Sequence, residues 1–227
     1  MYQLYIANKN YSSWSLRPWV LMREHGIRFE ERPLIFGDAR AWQDYRQICP
    51  SGKVPCLVDG ATRVWDSLSI AEYLAERHAG VWPEASAARP WARSAAAEMH
   101  AGFTALREQC SMSCGVRIRL HQRDPALEQD LARLVALWSD GLQRFGGPFL
   151  AGAHFSAVDA FYAPVAFRMQ TYGLSLGEPA DAYARALLAL PAMQAWYAEA
   201  LRESTREPAH ERDSLRFGEL QQDLRRS

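Results

Sequence analysis

Cysteine is scarce in this chain. Cys49, Cys56, Cys110 and Cys114 are too few and too scattered to form the disulfide framework of a small secreted domain, and the first residues lack the basic segment and apolar run of a leader. A reduced, cytoplasmic setting is the expectation. No apolar stretch approaches the ~18 residues of a membrane span, and neither sign of charge is in excess, since Lys plus Arg and Asp plus Glu both number 26. Nothing in that balance draws the protein to nucleic acid or to an anionic membrane. The six histidines form no pair at ligand spacing, and glycine-rich phosphate loops and internal repeats are absent. No metal site is expected: Cys110 and Cys114 would share a helical face, but two thiols alone leave coordination incomplete.

What the chain does carry is one dense stretch from Ser51 to Glu76. Val54 to Val58 is a short β-rich run, Asp59-Gly60 is a dipeptide that tight hairpins prefer, and Thr62 to Trp65 supplies the return strand. Ile70, Tyr73 and Leu74 then recur at helical spacing. The helix is expected to start near Ser67 to Ser69, with Ser69 and Glu72 as a capping box. Pro55 is out of place within a ladder, because it has no N–H to donate. A cis Val54-Pro55 bond at the head of an edge strand would explain it, turning the Val54 backbone outward where an extended peptide can pair with it. Free N–H groups at the helix start, with the Ser67 hydroxyl, suit a carboxylate. Together these features describe a pocket for a small charged peptide.

Val54-Pro55, then Asp66-Ser67, then Ile70-Ala-Glu-Tyr-Leu74 resembles the glutathione-binding half of the glutathione S-transferases. The resemblance implies an α/β thioredoxin-like N-terminal domain of βαβ-ββα order followed by an all-α C-terminal helical domain. It also implies glutathione as co-substrate, a homodimer and a role of the detoxification kind. The domains are expected at residues 1–79 and 91–227, joined by an Ala-, Gly-, Pro- and Ser-rich linker over 80–90.

The flanking sequence fits that order. Gln3 to Ala7 reads as a buried strand, followed by a helix capped at Ser15 with Pro18 in its first turn and ending at Gly26. Arg28 to Leu34 reads as a second strand, and Asp38 as the cap of a short helix carrying Trp42, Tyr45 and Ile48. In the second half, Trp91 to about Met112 reads as one long helix, continuing towards His121 after a break near Gly115. Leu127, Leu131, Leu134, Leu137, Trp138 and Leu142 give Pro125 to Phe145 an apolar stripe. Ser156 and Asp159 form a capping-box variant with a folding role, Pro164 predicts a kink, and Pro191 opens the last strong helix. The charged tail from Ser204 is expected to pack loosely.

The loop Tyr11-Ser-Ser-Trp-Ser-Leu-Arg17 lies where thioredoxin-like folds place their reactive group. A glutathione thiol with a free pKa near ~8.5 is mostly protonated at neutral pH, and each unit of depression requires ~1.4 kcal/mol of thiolate preference. A hydroxyl donated to sulfur at a helix N-terminus supplies such a preference. The loop resembles the serine-type transferases, nearest to the Ser-Ser-Cys-Ser run of the zeta class. On that run Ser12 falls on the catalytic serine, Ser13 on its neighbour and Trp14 on the cysteine. Serines before a helix also serve as plain caps, and the Tyr11 phenol is a second possible donor, so geometry must choose among Ser12, Ser13 and Tyr11. The resemblance also places Lys53 and Arg40 near the ligand; Lys53 reads equally as a solvated charge, and for Arg40 the solvated-surface reading is the favoured one.

The electrophile pocket is expected between this loop and the first helices of the second domain, with Met99, Phe103, Arg107, Cys110, Met112 and Arg168 as candidates and Trp14 and Arg107 as its site residues. Three functions follow: conjugation of glutathione to a small electrophile, a glutathione-dependent isomerase of the maleylacetoacetate type, or a non-catalytic binding or interaction module on the same fold. Trp14 at the cysteine position, and Arg168 three residues before the arginine that an isomerase would need, count against the second.

Overall fold

A computed structural model describes residues 1–225. The N-terminal half is a four-stranded sheet of order β2-β1-β3-β4, formed by β1 (Tyr2–Ala7), β2 (Phe29–Leu34), β3 (Cys56–Asp59) and β4 (Thr62–Val64). β1 runs parallel to β2, with Tyr2 opposite Phe29 and Ala7 opposite Leu34, and antiparallel to β3, with Tyr5 opposite Cys56. Such a parallel pair needs a crossover, and α1 (Ser13–Glu24) provides it. The β3–β4 hairpin turns at Asp59-Gly60, where Gly60 takes the positive φ of 56° that the tight turn requires. Helices α2 (Ala39–Tyr45) and α3 (Ser67–Ala75) complete the βαβ-ββα order of a thioredoxin-like domain.

Two local expectations change. The Val54-Pro55 bond is cis, but it precedes an inner strand: β3 begins at Cys56, one residue past the proline, and β4 covers its other side. Helix starts also shift, because the residue best able to accept a bond lies earlier. Ser12, rather than Ser15, caps α1, so Pro18 falls beyond the first turn. Asp66, rather than Ser69, caps α3 by accepting from the Leu68 N–H at 3.0 Å.

The second half is helical: α4 (Ala88–Ala101), α5 (Thr104–Gln109), α6 (Pro125–Phe145), α7 (Ala157–Tyr172), α8 (Ala180–Ala189), α9 (Pro191–Arg202) and α10 (Pro208–Leu215). α4 opens inside the segment read as linker. α7 is buried on nearly every side and forms the axis against which α1, α4 and α8 pack, as an all-round apolar helix must. The Ser156–Asp159 capping box is present, and the buried Asp159 carboxyl also accepts from the Leu150 N–H and the Tyr183 hydroxyl. One continuous core runs from Leu4, Leu16 and Trp19 in the first domain to Phe161 and Trp196 in the second.

The expected long helix after Trp91 is interrupted. Gly102 ends α4, and Phe103 takes a left-handed φ of 57° before α5 starts. The Arg107 guanidinium seals the break, donating to the carbonyls of Met99, His100 and Gly102. Beyond α5 the chain forms β5 (Val116–Leu120) rather than more helix, and β5 pairs antiparallel with β6 (Gly218–Asp223) from the tail. That tail is therefore docked across the molecule.

Candidate functional site

Strand direction alone gathers the predicted residues at one end of the sheet. β1 leaves the sheet at Ala7 into the Asn8–Ser12 loop, and antiparallel β3 enters at that same end, with Val54-Pro55 just ahead of it. β4, with Val64 opposite Leu57, returns to this end and delivers Asp66-Ser67. Parallel β2 exits there too, so α2 and Arg40 follow from it. The thiolate candidates, the cis Val54-Pro55 bond and the helix entry thus converge through topology.

Ser12 caps α1. Its hydroxyl donates to Ser15 Oγ at 2.8 Å and accepts from the Ser15 N–H at 3.3 Å, while Ser15 Oγ accepts from the Ala7 N–H at 3.1 Å. A 12-residue helix points its positive end at this hydroxyl. Ser13 is buried beside it as the first residue of α1. Tyr11 is engaged elsewhere: its hydroxyl donates to Glu211 Oε1 at 2.5 Å, its ring stacks on His210, and burial together with the Glu211 bond pushes its pKa well above the ordinary phenol range.

Ser67, the first residue of α3, is buried, and its Oγ has no hydrogen-bond partner. A buried hydroxyl without a partner at a helix N-terminus matches a carboxylate receptor. Asp66 is half-exposed and meets His100 of α4, Nε2 to Oδ2 at 3.1 Å, which ties the helix entry to the second domain. Burial holds the His100 imidazole below its ordinary pKa, against the pull of Asp66. Lys53 is exposed, and its carbonyl accepts from the Tyr45 hydroxyl at 2.8 Å; Arg40 is exposed on α2. Val54 is half-buried and Pro55 buried.

On the other side of the loop, Trp14 is 37% exposed and collects positive neighbours. The Arg107 guanidinium lies 4.8 Å from its ring centroid and that of Arg17 4.2 Å, while the His100 ring meets it edge-on at 5.3 Å. Trp14 and Arg107 are thus brought together, as the sequence reading expects. His100 was not anticipated, because nothing local marks a histidine 34 positions from the Asp66 it contacts. A cavity of about 730 Å³ lies at the far end of α1 among His25, Trp82 and Phe155 and holds none of these residues. Among the described residues no group of three or more His, Cys, Asp and Glu could hold a metal ion, and no helix is long and apolar enough to cross a membrane.

Comparison with known proteins agrees with this geometry. Residues 11–77 match the glutathione S-transferase N-terminal domain, and residues 84–199 the C-terminal domain. Among curated proteins, glutathione S-transferase F10 of Arabidopsis thaliana is 36% identical over 72 residues, 31% of this chain and 33% of its own. The class-mu 26 kDa isozyme 1 of Fasciola hepatica is 26% identical over 161 residues, 64% of this chain and 65% of its own. The chain thus spans a third to just under two thirds of these relatives. Among solved structures, a glutathione transferase homologue from Burkholderia with bound glutathione superimposes with a TM-score of 0.65 at 21% identity, over 88% of this chain and 97% of that one. Glutathione transferase Omega 3C from Trametes versicolor gives 0.67 at 20% identity, over 91% and 90%. These two share the fold. Since the matched domains together cover most of its length, the chain belongs to the glutathione S-transferase family.

Proposed function

We propose that this protein is a glutathione transferase that binds glutathione across the end of its sheet and stabilises the thiolate with Ser12. The backbone of Val54 beside cis-Pro55 pairs with the cysteinyl part of the tripeptide. Ser67 Oγ and the first N–H groups of α3 take the γ-glutamyl carboxylate, and Arg40 and Lys53 face the glycyl end. The observation that carries this reading is the partnerless Ser67 hydroxyl, buried at a helix N-terminus on the same sheet end as the Ser12 cap.

Ser12 is preferred to Tyr11 because the phenol proton is held by Glu211, whereas the Ser12 hydroxyl needs only to turn from Ser15 Oγ to sulfur. Ser13 is the next choice. The sulfur lone pair then forms the new C–S bond, either displacing a leaving group that departs with its electron pair or adding across an activated double bond, with solvent supplying the proton to the far carbon. Maleylacetoacetate-type isomerisation would use the same thiolate, but Trp14 stands where the zeta-class run has cysteine, so conjugation is the reading adopted. A homodimer in the cytoplasm is the expected form. Assay of glutathione conjugation to a generic aryl halide tests the proposal; glutathione binding without turnover of any electrophile would leave a binding module instead.

A further inference from the structure

Three guanidiniums crowd the electrophile side of this site, and none has a carboxylate partner. Arg17 comes from α1, Arg107 from α5 and Arg168 from α7, so both domains contribute. Arg17 is wholly buried, yet its Nε, Nη1 and Nη2 donate to no acceptor in the described chain. What surrounds it is aromatic: its Cζ lies 4.2 Å from the Trp14 centroid and 4.9 Å from that of Phe161. Arg107 flanks the same Trp14 ring. Arg168 is also buried; it donates Nε to the Cys110 carbonyl at 2.7 Å and leaves Nη1 without a partner.

The three charges feel one another. Burial, then Arg107 and Arg168, push the Arg17 guanidinium well below its ordinary pKa, and burial with Arg107 lowers Arg168 to about 10. Asp66 attracts Arg17 and Asp130 attracts Arg107, but these carboxylates bond elsewhere, Asp66 to the Leu68 N–H and His100, Asp130 to the Leu106 N–H. A guanidinium carries five N–H donors and stays charged, so burying it without an acceptor is among the costliest arrangements a protein can hold. Planar oxyanions match its fork.

We infer that the second substrate of this transferase carries a carboxylate or a similar planar oxyanion, which Arg17 receives beside Trp14 with Arg107 and Arg168 adding their charge. The inference rests on the glutathione reading for the reacting partner, whereas the anion pocket rests on the arginines themselves. Trp14 is partly exposed and its ring lies against Arg17, so it offers a stacking face to an unsaturated or aromatic body next to the anionic group. A neutral electrophile of the same shape leaves the Arg17 donors unmatched, and a site built to bond a polar group rejects an analogue lacking it.

The test compares 3,5-dinitrobenzoate with 3,5-dinitrobenzamide by calorimetric titration, on the protein alone and on protein saturated with S-methylglutathione. The benzoate should bind at least about 10-fold more tightly in both settings, the factor expected of one charge-assisted contact. In Arg17→Met that preference should fall to within about 2-fold, while the unliganded melting temperature stays level or rises, because an uncompensated buried charge has left. Equal binding of the two probes, a preference that survives Arg17→Met, or a large loss of melting temperature marking Arg17 as a structural cation would each overturn the inference. A benzoate preference that disappears once S-methylglutathione is bound would give Arg17 to glutathione's own carboxylate and overturn it as well. Failure of Arg17→Met to fold counts as that loss of melting temperature and overturns the inference; Arg17→Gln repeats the comparison as a second variant. Failure of S-methylglutathione to bind, with the benzoate preference intact, would sink the glutathione reading and leave the anion pocket standing.

Discussion

The Tyr11 hydroxyl donates to Glu211 at 2.5 Å, closing a contact between residues 200 positions apart. Arg225 completes the knot, holding both Glu211 oxygens and Asp223 while its Nη1 reaches the Tyr11 oxygen at 3.3 Å. The phenol is thereby committed to fastening the C-terminal segment over the loop that carries Ser12. Tyr11→Phe should cost about 1 kcal/mol of stability, the net worth of one such bond, and leave kcat/KM for conjugation within about 3-fold of the parent. Steady-state kinetics and urea denaturation check this; a loss of activity as large as that of Ser12→Ala would return the thiolate role to Tyr11.

Ser67 poses the opposite case, a buried hydroxyl with no partner to lose. Ser67→Ala should leave stability unchanged or slightly raised, since it removes an unsatisfied polar atom. Glutathione affinity should fall about 10-fold, as expected for a hydrogen bond to a charged group. Calorimetry reads the affinity and thermal melting the stability. Undiminished affinity would remove the carboxylate from the entry of α3.

His100 sets a pH dependence. Its pKa lies below the ordinary 6.5 because burial disfavours the imidazolium, so the unfolded chain takes up this proton first as pH falls. The contribution is present above pH ~6.5 and is lost as pH drops towards and through the lower folded value. The melting temperature should therefore fall between pH 7 and pH 5, and fall less in His100→Gln. An NMR titration placing His100 at or above 6.5 would contradict the assignment.

Local rules made much of this architecture legible. Asp59-Gly60 marked the hairpin, the leucine stripe marked α6 to the residue, and Ser156 with Asp159 marked the entry of α7. These signals act over a few residues, so they survive in sequence. The β5–β6 pair did not: Val116–Leu120 and Gly218–Asp223 are short and rich in charged and amide side chains, and each is a strand only because the other lies against it. For the same reason the tail read as loosely packed, and its hold on Tyr11 was invisible. The candidate residues Ser12, Val54, Pro55, Asp66 and Ser67 were named from motif and resemblance, and the strand order brings them to one end of the sheet. The isolation of Arg17 could not, because the absence of a partner belongs to the folded chain alone.

The central claim is that this sheet end binds glutathione and that Ser12 ionises its thiol. The measurement that reaches it most directly is calorimetric titration with glutathione and S-methylglutathione, with ultraviolet difference absorbance following the bound thiol across pH. The account predicts binding of both ligands and a bound-thiol pKa depressed below ~8.5. It further predicts that this pKa rises by about 1 to 2 units in Ser12→Ala, together with about 1 kcal/mol of lost stability from the missing helix cap. Binding with an unshifted thiol, or a shift that persists in Ser12→Ala, would contradict it.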